Sequence, residues 1–174
     1  FSEPVTGSAI SGSFTVAGES APTTNTAVTA GTSMTLTTTG LTSTSGTPAV
    51  NYVAATGDIL DNSPATNEVA NGGAVSAADQ VKPTFTAART ALNTIVLTFS
   101  EPVTGSAISG SFTVAGASAV TNTAPSASTT VTLTTTGLTS TSGTPAVDYV
   151  AATGDIADAA TNEVANGGAV SAAD

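Results

Sequence analysis

Carboxylates are the one abundant reactive group in this chain, and six of them form a trio that occurs twice. Asp58, Asp61 and Glu68 recur as Asp155, Asp158 and Glu163. Hard oxygen donors this close together in a turn-rich stretch can hold calcium, with backbone carbonyls and water completing about six to eight ligands. Glu3 and Glu101 can reach the same loop if the Phe-Ser-Glu-Pro-Val turn lies at the same end of its domain. Asp79, in the junction Ala-Asp-Gln-Val-Lys-Pro, could rigidify a domain boundary through a shared ion. The competing reading is a solvated turn in which Asp and Asn side chains bond the backbone. The spacing has neither the ligand order nor the glycine pivot of an EF-hand loop.

Other chemistries find little support. Glycoside hydrolysis needs two carboxyls facing each other across a cleft, one of them kept protonated by burial. Thin cores of small side chains seldom build such a cleft. The chain contains no His and no Cys, which removes imidazole bases, thiolate nucleophiles, disulfides and the usual zinc ligands. Ser and Thr therefore have no imidazole partner, and Lys82, the sole lysine, sits before Pro83 at a domain edge. The pairs Gly72-Gly73 and Gly167-Gly168 follow short extended stretches and open no helix, so they read as turns and not as phosphate loops. No catalytic residues are expected, and the chain is expected not to be an enzyme. Thr- and Ser-rich faces leave room for O-linked glycans, whereas no Asn-x-Ser/Thr sequon occurs.

Two basic residues stand against twelve acidic ones, a net charge of −10. Such a chain repels nucleic acid and anionic lipid, so neither is expected as a partner. No apolar run is long enough to span a membrane as a helix. Aromatic residues are few, with five Phe, two Tyr and no Trp. Any core must therefore be thin and built from Val, Ile, Leu and Ala, while the abundance of Thr, Val, Ser and Gly favours strands joined by turns.

Self-comparison fixes the organisation. Residues 1–18 recur unchanged at 99–116, residues 35–59 recur at 132–156 with Asn51 replaced by Asp148, and residues 65–79 recur unchanged at 160–174. The period is too long for a solenoid unit and suits one small β-sandwich of ~100 residues. Residues 80–174 make a complete repeat, and residues 1–79 make a repeat lacking its first strands, since nothing in them corresponds to 80–98. The chain opens inside a motif, as a window cut from a longer polypeptide would. In the complete repeat, alternation and turn signals predict strands at 83–88, 94–99, 111–114, 129–135 and 146–151. Two shorter ones, 163–165 and 169–172, flank a hairpin turn at Asn166-Gly167-Gly168. The inward faces are predicted to carry Ile95, Leu97 and Phe99, then Phe112 and Val114, Val131 and Leu133, and Val147 and Tyr149.

Three stretches carry a resemblance: Phe99-Ser100-Glu101-Pro102-Val103, the Ser-Phe-Thr-Val-Ala-Gly run at 111–116, and the closing Gly-Asp-Ile-Ala-Asp-Ala-Ala-Thr-Asn-Glu-Val-Ala at 154–165. Together they resemble the bacterial Ig-like tandem repeats of large cell-surface proteins, which include adhesin stalks, surface-layer proteins and swimming-motility surface proteins. The closing stretch looks like that family's D-x-x-G-N-x-V ending, with Thr161, and Thr66 in the other copy, standing where the family often has Gly. The resemblance implies an all-β chain of tandem Ig-like β-sandwiches outside the cell or at its surface. The function expected is a structural repeat of an extracellular filament or surface-layer assembly that self-associates head to tail. The alternative is a passive stalk of a large adhesin, projecting a binding domain located elsewhere.

Overall fold

Where Thr alternates with Val, Leu or Ile, an extended chain carries one apolar row and one polar row, and that pattern suits a strand with one buried face. In the computed structural model, which describes residues 1–41, 46–140, 143–167 and 170–173, every regular element is a strand. The strands form several small sheets in which all the paired strands run antiparallel. The chain divides into two compact units, one formed by residues up to Ala78 and the other by residues from Asp79 onward.

The first unit holds β1 (Val5–Gly7), β2 (Phe14–Val16), β3 (Thr24–Asn25), β4 (Val28–Gly31), β5 (Leu36–Thr37), β6 (Ala49–Tyr52), β7 (Leu60–Asp61) and β8 (Val75–Ser76). They make three small sheets, ordered β4-β1-β7, β2-β6-β8 and β3-β5. A small cluster fills the middle: Val5, Phe14, Val28, Tyr52 and Ile59 are buried, and Met34, Leu36 and Val50 pack against them half-exposed.

The second unit holds β9 (Phe85–Ala91), β10 (Thr94–Val103), β11 (Phe112–Val114), β12 (Ala119–Asn122), β13 (Ser128–Thr136), β14 (Ala146–Tyr149) and β15 (Val170–Ser171). Its two sheets run β12-β13-β10-β9 and β11-β14-β15. β10 is the longest strand and lies between two partners. Ile95 faces Leu133 on one side and Arg89 on the other, and Leu97 lies between Val131 and Ala87. The residues predicted to face inward are all buried, with Ile95, Leu97, Val131, Leu133 and Val147 fully so. They form one continuous core with Val103, Ile156, Val164 and Ala172. Phe85 ties the aromatic members together, its ring 5.6 Å from that of Phe99 and 6.1 Å from that of Phe112.

Three local expectations change. β12 has no counterpart among the predicted strands, because Ala-Val-Thr-Asn shows no apolar alternation; it forms because β13 offers it an edge from Thr136 to Leu133. The predicted strand at 163–165 is reduced to a single bridge between Glu163 and Ala157. Of the predicted hairpin turn and the strand after it, Gly168 and Ala169 lie outside the described residues, and the strand is seen as β15, which pairs with β14 and not with 163–165 as the hairpin required. Asn166 anchors the approach to it by accepting the Ala151 amide at 2.7 Å.

β9 lies at the edge of its sheet, where it pairs along β10, and its middle makes an isolated bridge to the last described residue of the chain. Ala173 donates to the Ala87 carbonyl at 3.0 Å and accepts from the Arg89 amide at 2.6 Å.

Candidate functional site

The carboxylates of the repeated trio have separate surroundings. Asp155 leaves the chain just after Gly154 and accepts the Ser106 amide at 2.9 Å. That amide, helped by the Ser106 hydroxyl, holds the Asp155 carboxyl below the usual carboxylate range. Asp58 does the same in the first unit. Its two oxygens accept the Ser8 amide at 2.9 and 3.2 Å, and the Ser8 hydroxyl and amide lower its pKa. These two aspartates clasp a turn: each fixes the chain just after β1 or β10 to the loop that follows the Tyr strand. The loop is held from inside as well, where the Tyr149 hydroxyl accepts the Ile156 amide at 2.9 Å and the Tyr52 hydroxyl accepts the Ile59 amide at 3.0 Å. Burial pushes the Tyr149 phenol above its ordinary value.

Asp158 turns the other way and is buried. Its Oδ1 accepts the Asn162 amide and its Oδ2 accepts the Asn162 side chain, both at 2.8 Å. Between them stands Thr161, with a left-handed φ of 70°. A β-branched residue is strained in that backbone. The Asn162 side chain also donates to the Asp79 carbonyl at 3.2 Å. Asp79, Glu101 and Asp158 thereby converge, one oxygen of each lying within 4.8 Å of the others. Glu101 is 2% exposed and Asp158 6%.

The structure therefore joins Asp158 to Glu101 and Asp79, and among the described residues it does not gather Asp155 and Glu163 around the same point. Glu163 and Glu68 are exposed, each bridged to the strand or loop opposite. The link the linear pattern did not carry is the path of 79–85. These residues fold back along Phe99–Glu101: the Ser100 amide donates to the Thr84 carbonyl at 2.8 Å, Phe85 stands opposite Phe99, and Pro83 is fully buried.

In the first unit, Asp61 and Asn67 repeat the arrangement of Asp158 and Asn162. Asp61 accepts the Asn67 amide at 2.8 Å and its side chain at 2.9 Å, and the Asn67 side-chain bond is the main cause of its lowered pKa. Glu3 stands at the position matching Glu101 but is exposed. The space that 79–83 fills in the second unit corresponds here to a cleft of about 390 Å³, whose walls include Phe1, Glu3, Val5, Asp61, Asn67 and Val69.

Arg89, the only arginine, is buried, and among the described residues its partners are backbone carbonyls. Its guanidinium donates to the carbonyls of Leu92 at 2.7 Å and of Ala91 and Gly143 at 3.3 Å, so it closes the β9–β10 turn. No helix among the described residues is long and apolar enough to cross a membrane. No family model, no curated protein and no solved structure matches the chain.

Proposed function

We propose that the chain is a structural repeat of an extracellular filament or surface-layer assembly, each unit an Ig-like β-sandwich, and that its repeats associate head to tail. The observation that carries this reading is the copying of internal detail. The Tyr hydroxyl that accepts an Ile amide, the Asp that clasps a Ser amide and the Asn that caps the Tyr strand occur in both units with matching lengths. A catalyst or a specific receptor needs one distinctive site. A chain that builds one thin, polar-coated module twice, with its polar groups spent on holding turns, is suited to making length. The two-sheet core of the second unit supports the sandwich assignment, because side chains from both sheets meet in one cluster.

The acidic cluster fits this role. Calcium held by Asp79, Glu101 and Asp158 would tie the first residue of the unit to a central strand and a closing loop, with hard oxygen donors suited to that ion. At a hundredfold excess over Kd such an ion would add about 2.7 kcal/mol to stability. An unchanged melting temperature in excess chelator would retire the ion and leave the structural role standing.

Negative-stain imaging of the native material tests the main reading. Ordered lateral or head-to-tail contact between chains is the expected outcome. Isolated flexible strings would favour the alternative, a passive stalk of a cell-surface adhesin.

A further inference from the structure

Two of the chain's nine asparagines are followed by glycine: Asn71-Gly72 and Asn166-Gly167, one in each repeat. Both asparagines are exposed. Each side chain serves as a cap. Oδ1 of Asn71 accepts the Ala54 amide and Oδ1 of Asn166 accepts the Ala151 amide, both at 2.7 Å. An N–H donor at that point fixes which end of the carboxamide is oxygen. Nδ2 therefore lies on the other side, and among the described residues no acceptor holds it in either copy. Four other asparagines are held by that same group. Asn25 and Asn122 each give Nδ2 to two carbonyls, and Asn67 and Asn162 give theirs to Asp61 and Asp158.

These contacts supply the parts of a ring closure. The electrophile is Cγ, whose carbonyl is polarised by a donor placed to hold the oxygen as charge develops on it. The nucleophile is the amide nitrogen of the next residue, tethered to Cγ through a few bonds, so no encounter is needed. Glycine has no Cβ to shield that nitrogen. At the second site the Gly167 amide makes one long bond, 3.3 Å to the Tyr149 carbonyl, which must open before attack. We infer that Asn71 and Asn166 are self-modification sites at which each repeat loses ammonia and gains a carboxylate. The glycine nitrogen gives up its proton and bonds Cγ, the Cγ–Nδ2 bond breaks, and Nδ2 leaves with that proton as ammonia. The product is a five-membered cyclic imide, and one water opens it. Cleavage at Cγ leaves aspartate. Cleavage at the main-chain carbonyl carbon leaves isoaspartate, with the chain routed through Cγ. No electrons are transferred, and the sum is one water in and one ammonia out. Aspartate keeps an acceptor for the Ala amide and adds one negative charge. Isoaspartate adds a methylene to the main chain and removes the side chain that reached that amide, so the cap on the Tyr strand is lost. The reaction is intramolecular and does not depend on the filament reading.

The test incubates the whole folded chain in mildly alkaline buffer, maps its peptides by mass spectrometry and labels isoaspartate with an isoaspartyl methyltransferase. Aspartate and isoaspartate should appear at positions 71 and 166, with matching ammonia release, before any change at the other asparagines. Gly72→Ala and Gly167→Ala should fold, because an added Cβ meets nothing closer than 3.8 and 3.6 Å and neither glycine has a left-handed φ. Each should slow its own site about tenfold or more while the other site keeps its rate. Circular dichroism confirms that each variant is folded. Product appearing first at Asn62 or at any other asparagine would overturn the inference. So would conversion seen only in urea, an undiminished rate in the glycine variants, or no conversion at all.

Discussion

Leu36 and Leu133 stand in the same run, Thr-Leu-Thr-Thr-Thr-Gly, yet one is half-exposed and the other is sealed from solvent. Phe1 and Phe99 differ in the same way, as do Ala77 and Ala172. Local sequence cannot be the cause, because it is the same in both copies. In the second unit β9 and β10 pair with or pack on these positions. Burial in this repeat is thus conferred largely by its opening strand pair, and the remaining strands form a tray that the pair closes.

The most direct way to break this comparison is a matched truncation. Leu133→Ala should destabilise the second unit by about 3 kcal/mol, since a fully buried Leu loses both its transfer energy and the filling of a cavity. Leu36→Ala should cost about 1 kcal/mol, because a half-exposed side chain has less to lose. Equal losses in urea titrations of the two variants would show that the tray is closed in solution. A broader consequence is stepwise unfolding: the first unit should open at lower denaturant than the second, and hydrogen exchange followed along the chain should separate the two events. One cooperative transition would erase the distinction.

Acid should affect both units, and the first more, since Asp61 there has a depressed pKa as well. Asp58 and Asp155 have depressed pKa values in the fold, so their contribution is complete above the unfolded value of about 3.9 and is lost as pH falls through the lower folded values. Melting temperature should therefore hold steady from neutral pH to about pH 5 and decline below about pH 4. A plateau extending well below that range would remove the Ser8 and Ser106 clasps from the account. Raised pH acts on the second unit through Tyr149, whose elevated pKa means stability is lost as pH climbs above the phenol's unfolded value of about 10. The smallest effect is expected at Thr161. Thr161→Gly relieves a left-handed β-branched residue, and after the entropy lost by glycine it should stabilise the second unit by about 0.5 kcal/mol. A loss of stability there would show that the Thr161 side chain contributes more than its backbone costs.

Much of the second unit was legible because its strands carry a two-residue period with few exceptions. Ile95, Leu97 and Phe99 declare one face of β10, and Val131 and Leu133 declare one face of β13. β12 was hidden because an edge strand of Ala, Val, Thr and Asn has too little apolar contrast, and its pairing is dictated by its neighbour. The acidic residues were legible as a set, and the grouping came from the fold. Asp155 and Asp158 are three positions apart and face different partners, whereas Asp79 and Asp158 are far apart in sequence and meet because 79–85 folds back on β10. No local period encodes that return path. Thr161 and Thr66 both have positive φ, 70° and 45°, and no local period announces such a backbone.

β9 and the end of the second unit run parallel where they meet, with Ala88 opposite Ala173. A pull on the two ends of the unit therefore drags these segments in opposite directions along their length. The bonds between Ala87, Arg89 and Ala173 are then loaded together in shear and not peeled one at a time. A unit fastened in this way resists tension at its own seam.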